Sequence, residues 1–183
     1  MKATIVRLGH PALRAHAEPV DVAELVSGDL SELVDTLTAT LKATGSRCLA
    51  APQIGAGVQM LVFRSQGSSS SGAPEEILVV ANPMIEPEHG DLVYDWEDCQ
   101  SIPNLLGLVP RHPKVRVRGV DAAGQPVDFE AEGGDARVIQ HAHDHLSGVV
   151  FLDRMRDLRS LAYDEEWKQY LVEPLAGSDD PEP

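Results

Sequence analysis

Three of the chain's seven histidines fall within five residues, in the segment Val138–Val150, which reads VIQHAHDHLSGVV. His141 and His145 are four apart, so on a helix they project from one face a turn apart. That spacing brings two imidazoles to one metal ion, as in the H-E-x-x-H pattern. Val138 and Ala142 share the face, whereas His143 lies about 200° round from His141 and points away. The residue after the first histidine, where a glutamate would act as base, is Ala142. Asp144 stands about 60° round from His141. Two imidazoles leave a metal short of donors, so the next question is what else the chain supplies.

The chain has two cysteines, Cys48 and Cys99. A lone cysteine is more often a small buried hydrophobe than a ligand. The histidine pair's need for a third donor is what raises Cys99, because a thiolate suits a borderline-soft ion. Gln53, inside SRCLAAPQIGAG (Ser46–Gly57), is a polar side chain among apolar neighbours. As a turn residue it would bond its own backbone, the commoner arrangement; the sharper alternative is a hydrogen-bond donor aimed into a site.

Elements must position these groups. Leu30, Leu33, Val34, Leu37 and Leu41 follow the 3.6 period and predict a helix over Asp29–Lys42, with Asp29 and Glu32 resembling a capping box and Gly45 as its stop. Residues 1–26, broken by Gly9, Pro11 and Pro19, read as irregular. Val58–Phe63, Ile77–Ala81 and Asp91–Glu97 read as strands, the first two joined by a flexible connection, GSSSSGAPEE. Lys114–Val120 and Pro126–Glu132 alternate apolar and polar residues about the turn DAAG, which predicts a hairpin. Asp135 can cap the histidine helix and Gly148 can end it. A last helix is expected over Asp164–Val172, stopped by Pro174. A run of strands between helices predicts an α+β fold with an antiparallel sheet.

At 183 residues with 43% hydrophobic content, the chain is expected to form a single domain over residues 1–176 with a sizeable core. Residues 177–183, GSDDPEP, form an acidic tail expected to be disordered. The net charge of −14 argues against nonspecific binding to nucleic acid or an anionic membrane. No apolar run approaches the ~20 residues of a membrane helix, and the N-terminus lacks the apolar core of a signal peptide. A cytoplasmic address is therefore expected, with the cysteines as thiols or a ligand rather than a disulfide.

Three segments in this order, CLAAPQIG (Cys48–Gly55), EDCQSIP (Glu97–Pro103) and QHAHDHLSG (Gln140–Gly148), resemble peptide deformylase. The opening IVRLGHPALR and the segment FLDR (Phe151–Arg154) are also similar to that family. The resemblance implies antiparallel sheets packed around a central metal-binding helix. It implies one divalent metal ion held by Cys99, His141 and His145, with iron(II) usual and zinc, nickel or cobalt as alternatives, and a fourth position for water or substrate. It further implies removal of the formyl group from the N-terminal methionine of new proteins, which ties the chain to translation. In that reaction the oxyanion would be held by the metal, the Gln53 side chain and the backbone N–H of Gln100. The partner is then an N-formyl peptide or another small molecule; the sequence leaves the oligomeric state open.

Four positions depart from the family pattern, all in the site. Ala142 replaces the glutamate that shuttles a proton from water to the leaving amine, a function worth about 10²–10⁴ in rate. Ser46-Arg47-Cys48 replaces a Gly-x-Gly, so side chains should crowd or reshape a wall where backbone approaches the peptide. Gln100 replaces a leucine. The ligand positions and the core periodicity are kept. The expectation is a metal-binding protein whose hydrolysis of an N-formyl amide is impaired or altered. Two alternatives stand beside it: a metalloenzyme turned to redox or other chemistry on a different small molecule, and a non-catalytic ligand binder.

Overall fold

The computed structural model describes residues 1–65 and 76–172. Most of the Gly/Ser connection, Pro174 and the acidic tail lie outside the described residues. The first twenty residues are irregular apart from a 3₁₀ turn at Pro11–Leu13. A short helix follows, α1 (Val22–Ser27), within the stretch expected to be irregular. The Asp21 carboxylate accepts the Ala23 N–H at 2.9 Å and caps it, and Gly28 closes it at φ 85°. Helix α2 (Ser31–Thr44) carries the leucine stripe and ends at Gly45, φ 70°. Its start corrects the expected cap: Leu30 is the N-cap, and the Asp29 carboxylate instead accepts from the Ser27 hydroxyl at 2.7 Å.

The chain then enters β1 (Cys48–Ala50), a 3₁₀ turn at Ala51–Ile54, β2 (Met60–Ser65), β3 (Glu76–Pro87), β4 (Val93–Cys99), β5 (Ile102–Arg111), β6 (Lys114–Val120) and β7 (Pro126–Glu132). Helix α3 (Gly133–Leu146) bears the histidines. After it come α4 (Phe151–Arg154), the two-residue β8 (Ala162–Tyr163) and α5 (Asp164–Tyr170). The fold is α+β. One antiparallel sheet runs β1-β2-β3-β6-β7 and a second runs β4-β5-β8. The expected hairpin forms in register, with Val117 opposite Phe129.

Strand alternation explains why the larger sheet needs a helix on each face. Ala50, Leu61, Phe63, Val80, Val115 and Val117 pack against Ala136, Ile139, Ala142 and Leu146 of α3. Leu49, Met60, Val62 and Ala81, their neighbours along the same strands, face Leu37 and Leu41 of α2. Leu37, Leu41 and Leu49 are fully buried, so truncating any one to alanine costs about 2–5 kcal/mol. The smaller sheet lies on the other side of α3. Its Cys99, Ile102 and Val109 pack with Val150 and Phe151. The histidine helix is thus held between the two sheets, as the resemblance implied.

Candidate functional site

Helix α3 starts without a side-chain cap. Asp135, the expected cap, sits in the first turn and pairs with Arg47. Gly148, at φ 71°, lies just beyond the end, and a Cβ there would stand 2.6 Å from the Arg14 carbonyl oxygen. A side chain at 148 would force the two backbones apart, which is why glycine follows the histidine helix.

The four-residue spacing places the His141 and His145 rings 5.1 Å apart at 70° to each other. Cys99 comes from the end of β4, where the strand register shifts between Asp98 and Cys99. The tight connection through Gln100 and Ser101 then pairs Cys99 with Ile102. Cys99 Sγ lies 3.4 Å from His145 Nε2. The donor atoms of Cys99, His141 and His145 all fall within 4.8 Å of one another, and no other such group occurs among the described residues. His145 is fully buried and its Nδ1 has no hydrogen-bond partner among the described residues. Burying an imidazole against a thiol alone is costly; a divalent ion shared by the thiolate and both rings repays that cost. One soft and two borderline donors suit iron(II), zinc or cobalt, and the residues present fit the ion.

A charged network fixes the orientation of His141. Glu97 Oε2 lies 3.0 Å from His141 Nδ1, which aims Nε2 at the shared centre. Arg111 grips both Glu97 oxygens, Nε to Oε1 at 2.8 Å and Nη2 to Oε2 at 3.0 Å. Arg137 adds a contact to Oε1 at 2.9 Å. Arg111 also reaches Asp144 at 2.6 Å, and Asp144 is closed on its other side by Arg154. Asp144 is therefore enclosed by guanidinium groups and unable to serve as a base. His143 lines a separate polar depression with Gln140 and Arg156, away from the cluster.

Electrostatics follow from these contacts. Burial alone would push the Cys99 thiol up, but hydrogen bonds from His141 and His145 outweigh it and hold the thiol at about 6. Burial disfavours charge on His141, yet its bonds to Cys99 and Glu97 raise it to about 10. Without metal, the pair is poised as a thiolate and an imidazolium. Burial also works against the Glu97 carboxylate, but His141 and Arg111 bring it down to about 2. The second cysteine behaves oppositely: burial pushes the Cys48 thiol up to about 12.

Gln53 satisfies both readings of its position. Its Oε1 accepts the Ala50 N–H at 3.0 Å, which fixes the amide so that Nε2 faces Cys99 Sγ at 3.7 Å and Ser101 Oγ at 3.5 Å. The side chain is 3% exposed. The irregular N-terminal segment ties the two site loops together, Val6 N–H bonding Gln53 O and Leu8 N–H bonding Ser101 O, each at 2.9 Å. Gln100 is exposed at the turn beside Cys99. Ala142 is 1% exposed and packs into the core under the site.

These groups open onto a cleft of about 300 Å³. Gln53, Cys99, Gln100 and His141 form one part of it, with Glu97 and Asp98 beside them, while Ser46, Arg47, Cys48, Trp96, Arg137 and Val138 line the remainder together with Gly45. Trp96 stacks at a tilt on Trp167 of α5, centroids 5.9 Å apart, so the C-terminal helix braces that wall. Neither arginine was a sequence candidate, and the only available signal was that Arg47 occupies the middle of the altered glycine motif.

A sequence model of the family described as polypeptide deformylase matches residues 2–160. Peptide deformylase 2 of Bordetella bronchiseptica is 39% identical over 88% of this chain and 92% of its own length. Peptide deformylase 3 of Streptomyces avermitilis is 36% identical over 95% of this chain and 82% of its own. Among solved structures, a class I type b peptide deformylase from Acinetobacter baumannii with Met-Ala-Ser bound superposes with a TM-score of 0.76, at 30% identity, over 85% of this chain and 99% of its own.

Proposed function

Because the chain belongs to the peptide deformylase family, a family of metal-dependent hydrolases, we propose that it hydrolyses N-formyl amides slowly, at one divalent ion held by Cys99, His141 and His145. The observation that carries the reading is convergence: a thiol, two imidazoles and a buried carboxamide donor meet at one end of an open cleft. When bound, the ion lowers the pKa of water and polarises the formyl oxygen. Iron(II), zinc, nickel and cobalt all suit this donor set, with iron(II) favoured by the resemblance.

The chain's own residues do the rest. Gln53 Nε2, locked by the Ala50 N–H, donates to the oxyanion as charge develops, and the Gln100 backbone N–H offers a second donor. Glu97 holds His141 in the orientation its ligand role needs. The step left without a protein group is proton transfer to the leaving amine. Ala142 carries no proton, and Asp144, Glu97 and His143 are each engaged or turned away, so the rate should fall short by about 10²–10⁴. Nothing in the site or the comparisons favours the redox or the non-catalytic alternative. No helix among the described residues is long and apolar enough to cross a membrane.

The test is release of formate from N-formyl peptides by metal-loaded protein, measured against the same protein stripped of metal. Slow, metal-dependent release lost in His145→Ala supports the reading. No release above the stripped protein overturns it.

A further inference from the structure

The cleft that holds the metal group continues into a wall unsuited to methionine. Arg137 is saturated there: beyond Glu97, its guanidinium bonds the Val109 carbonyl at 2.8 Å and the Val93 carbonyl at 2.7 Å. Arg47 is not. It pairs with Asp135 through Nη2, and Nη1 lies over Gly134, where a Cβ would stand 2.9 Å from it. Beyond that ion pair, Nε and Nη2 are both shielded from solvent with no hydrogen-bond partner among the described residues, while the side chain as a whole remains 29% exposed on the cleft. Burial also pulls the Arg47 guanidinium below its ordinary range, against the opposing influence of Cys48 beside it. The two acidic side chains on the cleft do not relieve it: Glu97 is engaged by Arg111, Arg137 and His141, and Asp98 is exposed at the mouth.

A thioether placed against such a wall would desolvate the guanidinium and return a weak acceptor at best. A carboxylate would supply the missing acceptor in the planar geometry that guanidinium groups match. We propose that Arg47 is the specificity-determining residue of this cleft and selects N-formyl substrates whose first side chain ends in a carboxylate. The proposal rests on the hydrolase reading for its reaction. Water's oxygen bonds to the formyl carbon, the C–N bond breaks, formate leaves, and the proton passes to the amine. Its selectivity is a property of binding and can be read without turnover.

The experiment titrates zinc-loaded protein with N-formyl-Glu-Ala-Ser, N-formyl-Gln-Ala-Ser and N-formyl-Met-Ala-Ser in a calorimeter, then assays the same samples for formate. The glutamate peptide is expected to bind about 10- to 100-fold more tightly than the methionine peptide, the worth of a charge-assisted hydrogen bond. Arg47→Met should abolish that preference and Arg47→Lys should keep part of it. Should Arg47→Met fail to fold, the order of the three peptides on the unaltered protein decides alone. Methionine binding as tightly as glutamate, glutamine matching glutamate, a preference that survives Arg47→Met, or no binding of any peptide overturns the proposal. An intact, Arg47-dependent preference with no formate from any peptide supports this proposal and overturns the hydrolase reading.

Discussion

Replacing Ala142 with glutamate puts a proton carrier back beside the ligands, and its consequences can be worked from the structure. Position 142 is 1% exposed and shares a core cluster with Ala50, Ile139 and Leu146. Ala50 is the residue whose N–H fixes Gln53, so a side chain grown from 142 is next to the chain that carries the oxyanion donor. A general acid–base group is worth about 10²–10⁴ in rate, or about 3–5 kcal/mol of barrier. Inserting the polar group into this packed site costs about 1–3 kcal/mol of stability, a fall in Tm of about 2–12 °C for a chain of this size. Ala142→Gln has nearly the same shape and cannot shuttle a proton, so it separates the two effects. Both variants should lose stability; only Ala142→Glu should gain in the rate of formate release, and its gain should follow ionisation of the new carboxyl group. A folded Ala142→Glu protein that binds one metal ion and releases formate no faster than Ala142→Gln would refute the claim that proton transfer limits this site.

Three further outcomes follow from the same contacts. Glu97→Gln removes the carboxylate that orients His141 and should weaken metal affinity about 10–100-fold, read by competition with a chromogenic chelator; unchanged affinity would contradict the orienting role. Glu97 is held at about 2 in the fold against an ordinary 4.5, so its contribution to stability is full above 4.5 and lost as pH falls from there through 2. Denaturant midpoints of the metal-free protein should drop across that window, and the drop should be shallower in Glu97→Gln. With metal removed, iodoacetamide near pH 7.5 should label Cys99, held at about 6, while Cys48, pushed up to about 12, stays unmodified. Zinc should suppress the labelling, and preferential modification of Cys48 would contradict the assignment.

Local signals carried much of the fold. The i, i+4 histidines, the leucine stripe of α2, its Gly45 stop and the alternation of β6 and β7 are all short-range patterns, and each element formed. The misses have physical causes. The segment of strand β5 carries no assignment from sequence, because Pro103 and Asn104 interrupt its apolar pattern, yet its pairing with β4 and β8 makes it a strand. Helix α1 is six residues long, too short for a period to show. The helix boundary slipped at Asp29 because its carboxylate found the Ser27 hydroxyl instead of a helix N–H. In the site, resemblance picked out the residues that the fold brings together. The charged network around them was not legible, since Glu97 meets His141 across 44 residues and Arg111 meets Asp144 across 33. Such partners leave no spacing pattern. Arg47 stayed hidden for a related reason: its effect depends on the donor left over after Asp135 is paired.

Titration of the metal-free protein with cobalt(II), following the thiolate-to-metal charge-transfer band, tests the metal centre most directly. The band should grow to saturation at one equivalent and be absent from Cys99→Ser, with His145→Ala losing saturable binding. Absence of the band in the unaltered protein, or an undiminished band in Cys99→Ser, would contradict the account.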